Sequence, residues 1–161
     1  MLAPRLGLPL VDKDEILEEL FESRGTGDAA WRRQLSRESD AIVRDTVSKS
    51  QGAVVCSFWH VTGMPDDSGT PTAWLEALSS AIVAIHCVCP PEIAAERFLR
   101  RTRHAGHLDE RRAAAEVIGS FQALALLGPV TIGETVVVDT TRPLEPDAIL
   151  QAVAAAFRRR Q

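Results

Sequence analysis

The sequence lacks the features of a membrane, secreted or disulfide-bonded protein. No apolar run approaches the roughly 18 residues that a membrane span requires. The amino end, residues 1–5, has no charged segment followed by an apolar core, so it is not a secretory signal. Three cysteines, an odd number, imply no disulfide framework. We therefore expect a cytoplasmic protein with no membrane partner.

Lysine and aromatic residues are scarce, which limits the candidates for a catalytic lysine and argues against some kinds of partner. Lys13 and Lys49 are the only lysines among 18 basic residues, so a reaction that needs a lysine has two candidates. The net charge is −4 and aromatic residues make up 5% of the chain, with none interleaved among the arginines, which argues against a nucleic-acid partner. A length of 161 residues with 45% hydrophobic and 25% charged residues predicts one folded domain over residues 1–161.

Strand and helix signals alternate along the chain. Strands are predicted at residues 8–11, 53–58, 82–88 and 135–138. Helices are predicted near residues 12–22, 28–35, 36–51, 71–78, 90–103 and 110–127, and after Pro146. Strands separated by helices form parallel units, so the expected fold is an α/β sandwich with a mostly parallel sheet. Ligands of such sheets bind beyond the carboxyl ends of the strands.

Two carboxylates directly follow the first predicted strand. Asp12 and Asp14 could hold the waters of a magnesium ion or accept a proton from a substrate hydroxyl. They could equally be structural, with Asp12 as the N-cap of the next helix and Asp14 as an acid that favours its dipole. The two interpretations are compatible and both stay open.

Arginine is concentrated in one short segment. Residues 97–112 hold six arginines against two acids, a local charge of +4 in a chain of −4. If the preceding helix continues to residue 103, four basic side chains share one face at helical spacing: Arg97, Arg100, Arg101 and His104. Planar guanidinium groups suit phosphate oxygens. A solvated helix face is the alternative interpretation.

Aromatic and polar residues follow the later strands. Trp59 and His60 come after the second predicted strand, where they could stack on and hydrogen-bond a sugar or ring, or simply pack against the sheet edge. Arg142 follows the last strand and could lie against an adenine face or on the surface. Both alternatives stay open for each position.

The cysteines are predicted to be core residues rather than metal ligands. Cys87 and Cys89 share a face of their strand while His86 points the other way, so the three cannot converge on one ion. No second cluster completes a set of four ligands. Cys56 is likewise predicted to be buried in a strand.

Four phrases together resemble the P-loop small-molecule kinases of the gluconate and shikimate kinase type, an AAA-type ATP-binding family. LGLPLVDKD at residues 6–14 resembles their second strand. CPPE at residues 89–92, with Arg97-Phe98 and then RHAGHLD at residues 103–109, resembles the fourth strand, the next helix and the mobile lid. VVVDTT at residues 136–141 resembles the last strand and the adenine-side loop.

The resemblance implies a three-layer α/β/α sandwich and transfer of the γ-phosphate of ATP, with Mg²⁺, to a small hydroxylated molecule. A lid would span about residues 97–112. The implied catalytic residues are Asp12, Asp14, Arg97, Arg101 and Arg103, with Asp12 and Asp14 also serving the metal. The implied substrate-binding residues are Trp59, His60, His104 and His107. The implied nucleotide-binding residues are Thr140 and Arg142.

The chain departs from that family at two points. The phosphate-binding loop G-x-x-x-x-G-K-[ST] occurs nowhere in the sequence, and Ser57-Phe58 stands where many relatives place a magnesium-linked acid. We therefore expect an amino-terminally shortened protein that lacks the first strand and is inactive or impaired as written. The upstream reading frame is then expected to encode that strand and loop within about 30 residues. An oligomer could cover the gap.

Two other functions stay open. The first alternative is a non-catalytic α/β protein, similar to a pseudokinase, that binds a partner or ligand. The second is a hydrolase that uses the same cleft.

Overall fold

A computed structural model describes residues 2–78 and 81–159. The helices in these ranges are α1 (Ala3–Leu6), α2 (Lys13–Arg24), α3 (Ala29–Ser48), α4 (Ala73–Leu78), α5 (Pro91–Arg100), α6 (Ala114–Ala125) and α7 (Pro146–Arg158). The strands are β1 (Leu10–Asp12), β2 (Val54–Cys56), β3 (Val83–Val88) and β4 (Glu134–Asp139). None of the helices in the described ranges is both long enough and apolar enough to cross a membrane.

The strands form two separate parallel pairs. β1 pairs with β2, and β3 pairs with β4. The chain divides into two compact units accordingly. Unit 1 comprises the chain up to Phe58 together with Thr102–Arg112, and unit 2 comprises Trp59–Arg101 and the chain from Ala113 onward. The predicted mixed α/β class with parallel pairing is confirmed, while the three-layer sandwich stays a prediction.

The helix boundaries correct several sequence expectations. The two helices predicted at residues 28–35 and 36–51 are one helix, α3, because no glycine or proline interrupts the sequence between the capping residue Asp28 and Ser48. The helix predicted from Pro71 begins at Ala73. The helix predicted from residue 110 begins at Ala114.

The most consequential correction concerns the end of α5. This helix stops at Arg100, and Arg101 is extended, with φ −76° and ψ 143°. The prediction that His104 shares a helical face with the arginines of α5 is therefore wrong. The chain continues through two short 3₁₀ turns, Ala105–His107 and Asp109–Arg111.

Unit 1 is built around the contact between α2 and α3. Leu17, Leu20 and Phe21 of α2 pack with Leu35 of α3, and Trp31 covers this cluster. The register of β1 and β2 pairs Asp12 with Cys56, so Asp12 lies at the carboxyl end of a parallel strand. The start of α2 thus follows directly from a paired strand, and the next turns of the helix pack on α3.

Unit 2 is built around the longer pair β3–β4. Its buried core side chains include Val136, Val138, Ile149, Val153 and Ala156, the first two from β4 and the others from α7. The aromatic rings of Phe98 in α5 and Phe121 in α6 meet edge to face with centroids 5.9 Å apart.

The cysteine expectation is only partly met. Cys56 and Cys87 are exposed and Cys89 is intermediate, so the prediction of buried core positions is wrong for the first two. Each sheet in the described residues has two strands, so each of these strands has one edge without a paired neighbour, unlike a strand in the middle of a wide parallel sheet.

Candidate functional site

Asp12 both ends β1 and caps α2. Its backbone is extended, and its Oδ1 accepts a hydrogen bond from the Asp14 N–H at 2.9 Å. This bond satisfies one of the free amide groups at the helix start, so the structural interpretation of Asp12 is confirmed. Asp14 lies in the first turn, and its side chain is 59% exposed. The carboxylate that solvent reaches more readily is therefore available for chemistry.

Arg103 links the 102–112 segment to the start of α2. One terminal nitrogen pairs with Asp14 Oδ2, and the other lies 3.2 Å from Asp109 Oδ2. The arginine side chain is only 16% exposed. One guanidinium thus orients two carboxylates, of which Asp14 faces solvent.

Arg32 on α3 joins this group, and the sequence analysis missed it. Its guanidinium is half-buried, and its Nε is buried without a hydrogen-bond partner among the described residues. Burial lowers the pKa of Arg32, and the positive charge of Arg103 lowers it further, while the charges of Asp109 and Asp14 oppose both effects. Two arginines and two aspartates therefore share one electrostatic environment, which we call the Asp14 cluster.

A sequence signal for Arg32 existed. It follows Trp31 and precedes Leu35 by three residues, a spacing that places it beside the buried stripe of α3. An arginine at the margin of a buried stripe is held in place by packing rather than left in solvent.

Lys13, the first residue of α2, ties the junction between β1 and α2 to α3. Its Nζ lies 2.5 Å from Asp40 Oδ1 of α3, and the two side chains are 10% and 20% exposed. The side chain that separates Asp12 from Asp14 in the sequence is therefore tied to α3.

Two of the three predicted substrate histidines, His104 and His107, pair with glutamates of α2. The His104 Nε2 lies 3.1 Å from Glu22 Oε1, and the His107 Nε2 lies 2.9 Å from Glu18 Oε1. The side chain of His107 is 0% exposed, so it would have to become exposed before it could touch a substrate. Burial lowers the pKa of His107, and the nearby charge of Arg103 lowers it further.

The predicted lid at residues 97–112 is divided between the units. Residues 97–101 belong to unit 2, where Arg97 donates to the Thr140 Oγ1 at 3.1 Å and to the Thr140 carbonyl at 2.7 Å. The Arg101 guanidinium lies 4.4 Å from the centroid of the Phe98 ring. Arg97 and Arg101, two of the three arginines predicted to serve phosphate, therefore contact residues of unit 2 itself.

The remaining predicted residues lie in loops of unit 2. Trp59 forms a bridge with Thr70, and the His60 Nδ1 lies 2.7 Å from the Ser68 carbonyl, so this loop is closed on itself. Arg142 is exposed.

Asp139, at the end of β4, accepts hydrogen bonds from the Thr141 hydroxyl and N–H at 2.6 and 2.8 Å. These two bonds lower the pKa of Asp139.

The potential for a protein-held metal is limited. Among the described residues, no three His, Cys, Asp or Glu side chains are grouped so that they could hold an ion. Magnesium in phosphate-transfer sites often uses only one or two carboxylates together with waters and substrate phosphates. Asp12 and Asp14 fit that sparser arrangement.

Comparison with known proteins gives a likeness to a solved structure. No family model matches the chain. No curated protein matches it either. Among solved structures, it resembles a protein of Chloroflexus aurantiacus J-10-fl described as "a putative kinase", with a TM-score of 0.77 and 25% sequence identity. The match covers 96% of this chain and 87% of that one. The chain is therefore similar in fold, over nearly its whole length, to a protein described as a kinase.

Proposed function

We propose that this chain is a phosphotransferase-like protein that acts on a hydroxyl group of a small molecule, with ATP as the phosphate donor. The observation that carries the proposal is the Asp14 cluster. An exposed carboxylate lies just past the carboxyl end of a parallel strand, beside two guanidinium groups. The likeness to the Chloroflexus protein supports the same class of reaction.

In the proposed reaction Asp14 accepts the proton of the attacking hydroxyl. Its position in the first turn of α2 is fixed by Arg103 and by the Asp12 cap. Positioning and charge stabilisation supply most of the catalysis in phosphoryl transfer. Each of these contacts therefore contributes by holding the acceptor hydroxyl in line.

Arg32 suggests the chemical character of the substrate. Its guanidinium lies close enough to that of Arg103 for the positive charge of Arg103 to lower the pKa of Arg32. Carboxylate and phosphate are the groups that the planar arginine fork binds best. We propose a substrate that carries an anionic group in addition to its hydroxyl.

The cofactor and the other site residues are assigned by the same proposal. Asp12 and Asp14 would hold a magnesium ion through its waters, and the ion would neutralise phosphate charge. Thr140 and Arg142 are proposed for the nucleotide, and Trp59, His60 and His104 for the substrate. Arg97 and Arg101 are proposed to serve phosphate after leaving their present contacts.

A second candidate rests on the sequence itself. The loop G-x-x-x-x-G-K-[ST], whose amide groups and lysine bind the β- and γ-phosphates, is not among these 161 residues. Lys13 cannot replace that lysine, because its Nζ is paired with Asp40. A non-catalytic protein that keeps the α/β frame to bind a ligand or a partner is the alternative.

One set of measurements separates the two. ATP with Mg²⁺ is titrated into the 161-residue chain by calorimetry, and ADP release is followed with a panel of anionic sugars and sugar acids. The phosphotransferase proposal expects micromolar ATP binding and substrate-dependent ADP release, lost in D14N and kept in D45N, whose carboxylate lies on the exposed part of α3. Equal release by wild type and D14N would overturn the proposal, and absence of ATP binding would favour the binding protein.

A further inference from the structure

The turn at residues 104–107, which we call the histidine turn, contacts Phe21 of α2 through two histidine rings. The His104 ring stacks on Phe21, with centroids 5.2 Å apart and an interplanar angle of 12°. The His107 ring meets Phe21 edge-on, with centroids 5.5 Å apart. Between them, Gly106 lies so close that a Cβ there would be 2.4 Å from Phe21 Cδ2. The turn and the helix are thus tightly packed.

The hydrogen bonds around His107 fit only the neutral ring. Its Nε2 must carry a proton, because it donates to Glu18 Oε1 at 2.9 Å. Its Nδ1 is buried and has no hydrogen-bond partner among the described residues. A second proton on the ring would therefore produce a buried N–H without an acceptor, which is costly.

The charged groups around His107 act in opposite directions. Glu18 and Asp14 of α2 favour the protonated ring. Arg103, on the same segment as the histidine, disfavours it, and so does burial, which is the largest effect. On the far side of Phe21, His104 is paired with Glu22. Burial and Arg103 together outweigh the two carboxylates, so the pKa of His107 is lowered.

We propose that the histidine turn is a pH-sensitive latch: neutral His107 holds the 102–112 segment on α2, and a proton taken up by His107 releases that segment. The same segment carries Arg103, which pairs with Asp14 and Asp109. Release therefore withdraws the guanidinium from Asp14 and exposes the His107 ring. This proposal does not depend on the function proposed above.

The direction of the pH dependence follows from the two states of His107. In the released segment the ring titrates near its ordinary pKa of about 6.5. In the latched segment the pKa is lower. The latch is therefore fully stable above about pH 6.5 and is lost as the pH falls from there through the lower, latched pKa. Once the pH is below both pKa values, each pKa unit between the two states has raised the ratio of released to latched segment about tenfold.

The test combines ring titration with hydrogen exchange in the full chain. NMR follows the His107 ring from pH 8 to 5, and mass spectrometry follows amide exchange of residues 102–112, corrected for the intrinsic pH dependence. The variant H107Q keeps an N–H donor for Glu18 but cannot titrate. Its matched control is H60Q, because His60 bonds to its own loop in unit 2.

We expect the wild type and H60Q to lose protection in residues 102–112 by more than about twofold between pH 7.5 and 5.5, because the pKa of His107 is lower in the latched segment. H107Q should stay within about twofold over the same range. The proposal is overturned if H107Q loses protection as the wild type does. It is equally overturned if the wild-type ring titrates at or above pH 6.5, a measurement that stands even if H107Q does not fold.

Discussion

Gly106 offers a stringent test of how the histidine turn packs on α2. A Cβ at this position would lie 2.4, 2.6 and 2.7 Å from three atoms of the Phe21 ring. Carbon atoms in contact prefer about 3.5–4.0 Å, so in G106A the ring or the turn must move by about 1 Å. Phe21 is 2% exposed and belongs to the α2–α3 core, which leaves it little room to move.

The cost can be estimated from two opposing contributions. Overpacking of a filled core typically costs about 1–3 kcal/mol. Alanine in place of glycine gains about 0.4–1 kcal/mol from the unfolded chain when the backbone suits it, and φ at Gly106 lies outside the left-handed region. We therefore expect G106A to lower the free energy of unfolding by about 1–2 kcal/mol.

Urea unfolding measures this change directly. With a denaturant dependence of about 1–3 kcal/mol per molar, a loss of that size moves the midpoint down by about 0.5–1 M. The matched control is G119A in α6, where nothing lies within 4 Å of the new Cβ and helix propensity favours alanine by about 0.5–1 kcal/mol. The packing argument is refuted if G106A unfolds at or above the wild-type midpoint.

Two further predictions concern charged groups. K13A removes a cation whose Nζ lies 2.5 Å from the Asp40 carboxylate, and the side chains of Lys13 and Asp40 are only 10% and 20% exposed. The substitution should therefore lower the free energy of unfolding, measured in urea, by about 2–4 kcal/mol. K49A breaks the pair of Lys49 with Asp45, in which both side chains are more than half exposed, and should lower the free energy of unfolding by at most about 0.5 kcal/mol. Equal losses in K13A and K49A would contradict the argument that burial makes the Lys13–Asp40 pair the more important one. T141V removes the hydroxyl that is the largest cause of the low pKa of Asp139, so that pKa should rise in an NMR titration. The stabilisation from Asp139 is present above the ordinary aspartate pKa of about 3.9 and disappears as the pH falls through the lower pKa of the folded protein. An unchanged pKa of Asp139 in T141V would refute the role of the hydroxyl.

The sequence by itself determined the local elements of this protein. Apolar runs bounded by turn residues indicated the four strands of the described residues. The sequence also offered Asp12 as an N-cap, because an N-cap is a local interaction between a side chain and an amide two residues away. Pro146 marks the start of the last helix, since proline is favoured at the first helical position. The resemblance to small-molecule kinases, read from short phrases, agrees in class with the Chloroflexus protein.

Only the tertiary structure decided which side chains meet. Arg103 and Asp14 are 89 residues apart in the sequence, and no periodicity relates them. The interpretation of residues 97–104 as one helical face was wrong for a related reason. Helix propensity alone would extend α5, but the chain turns at Arg101, and His104 and His107 bind glutamates of α2 instead. The spacing of Arg32 to Leu35 places it beside the buried stripe of α3, but only the packing of α3 on α2, which buries Leu35 and Phe21 together, brings it to the Asp14 cluster.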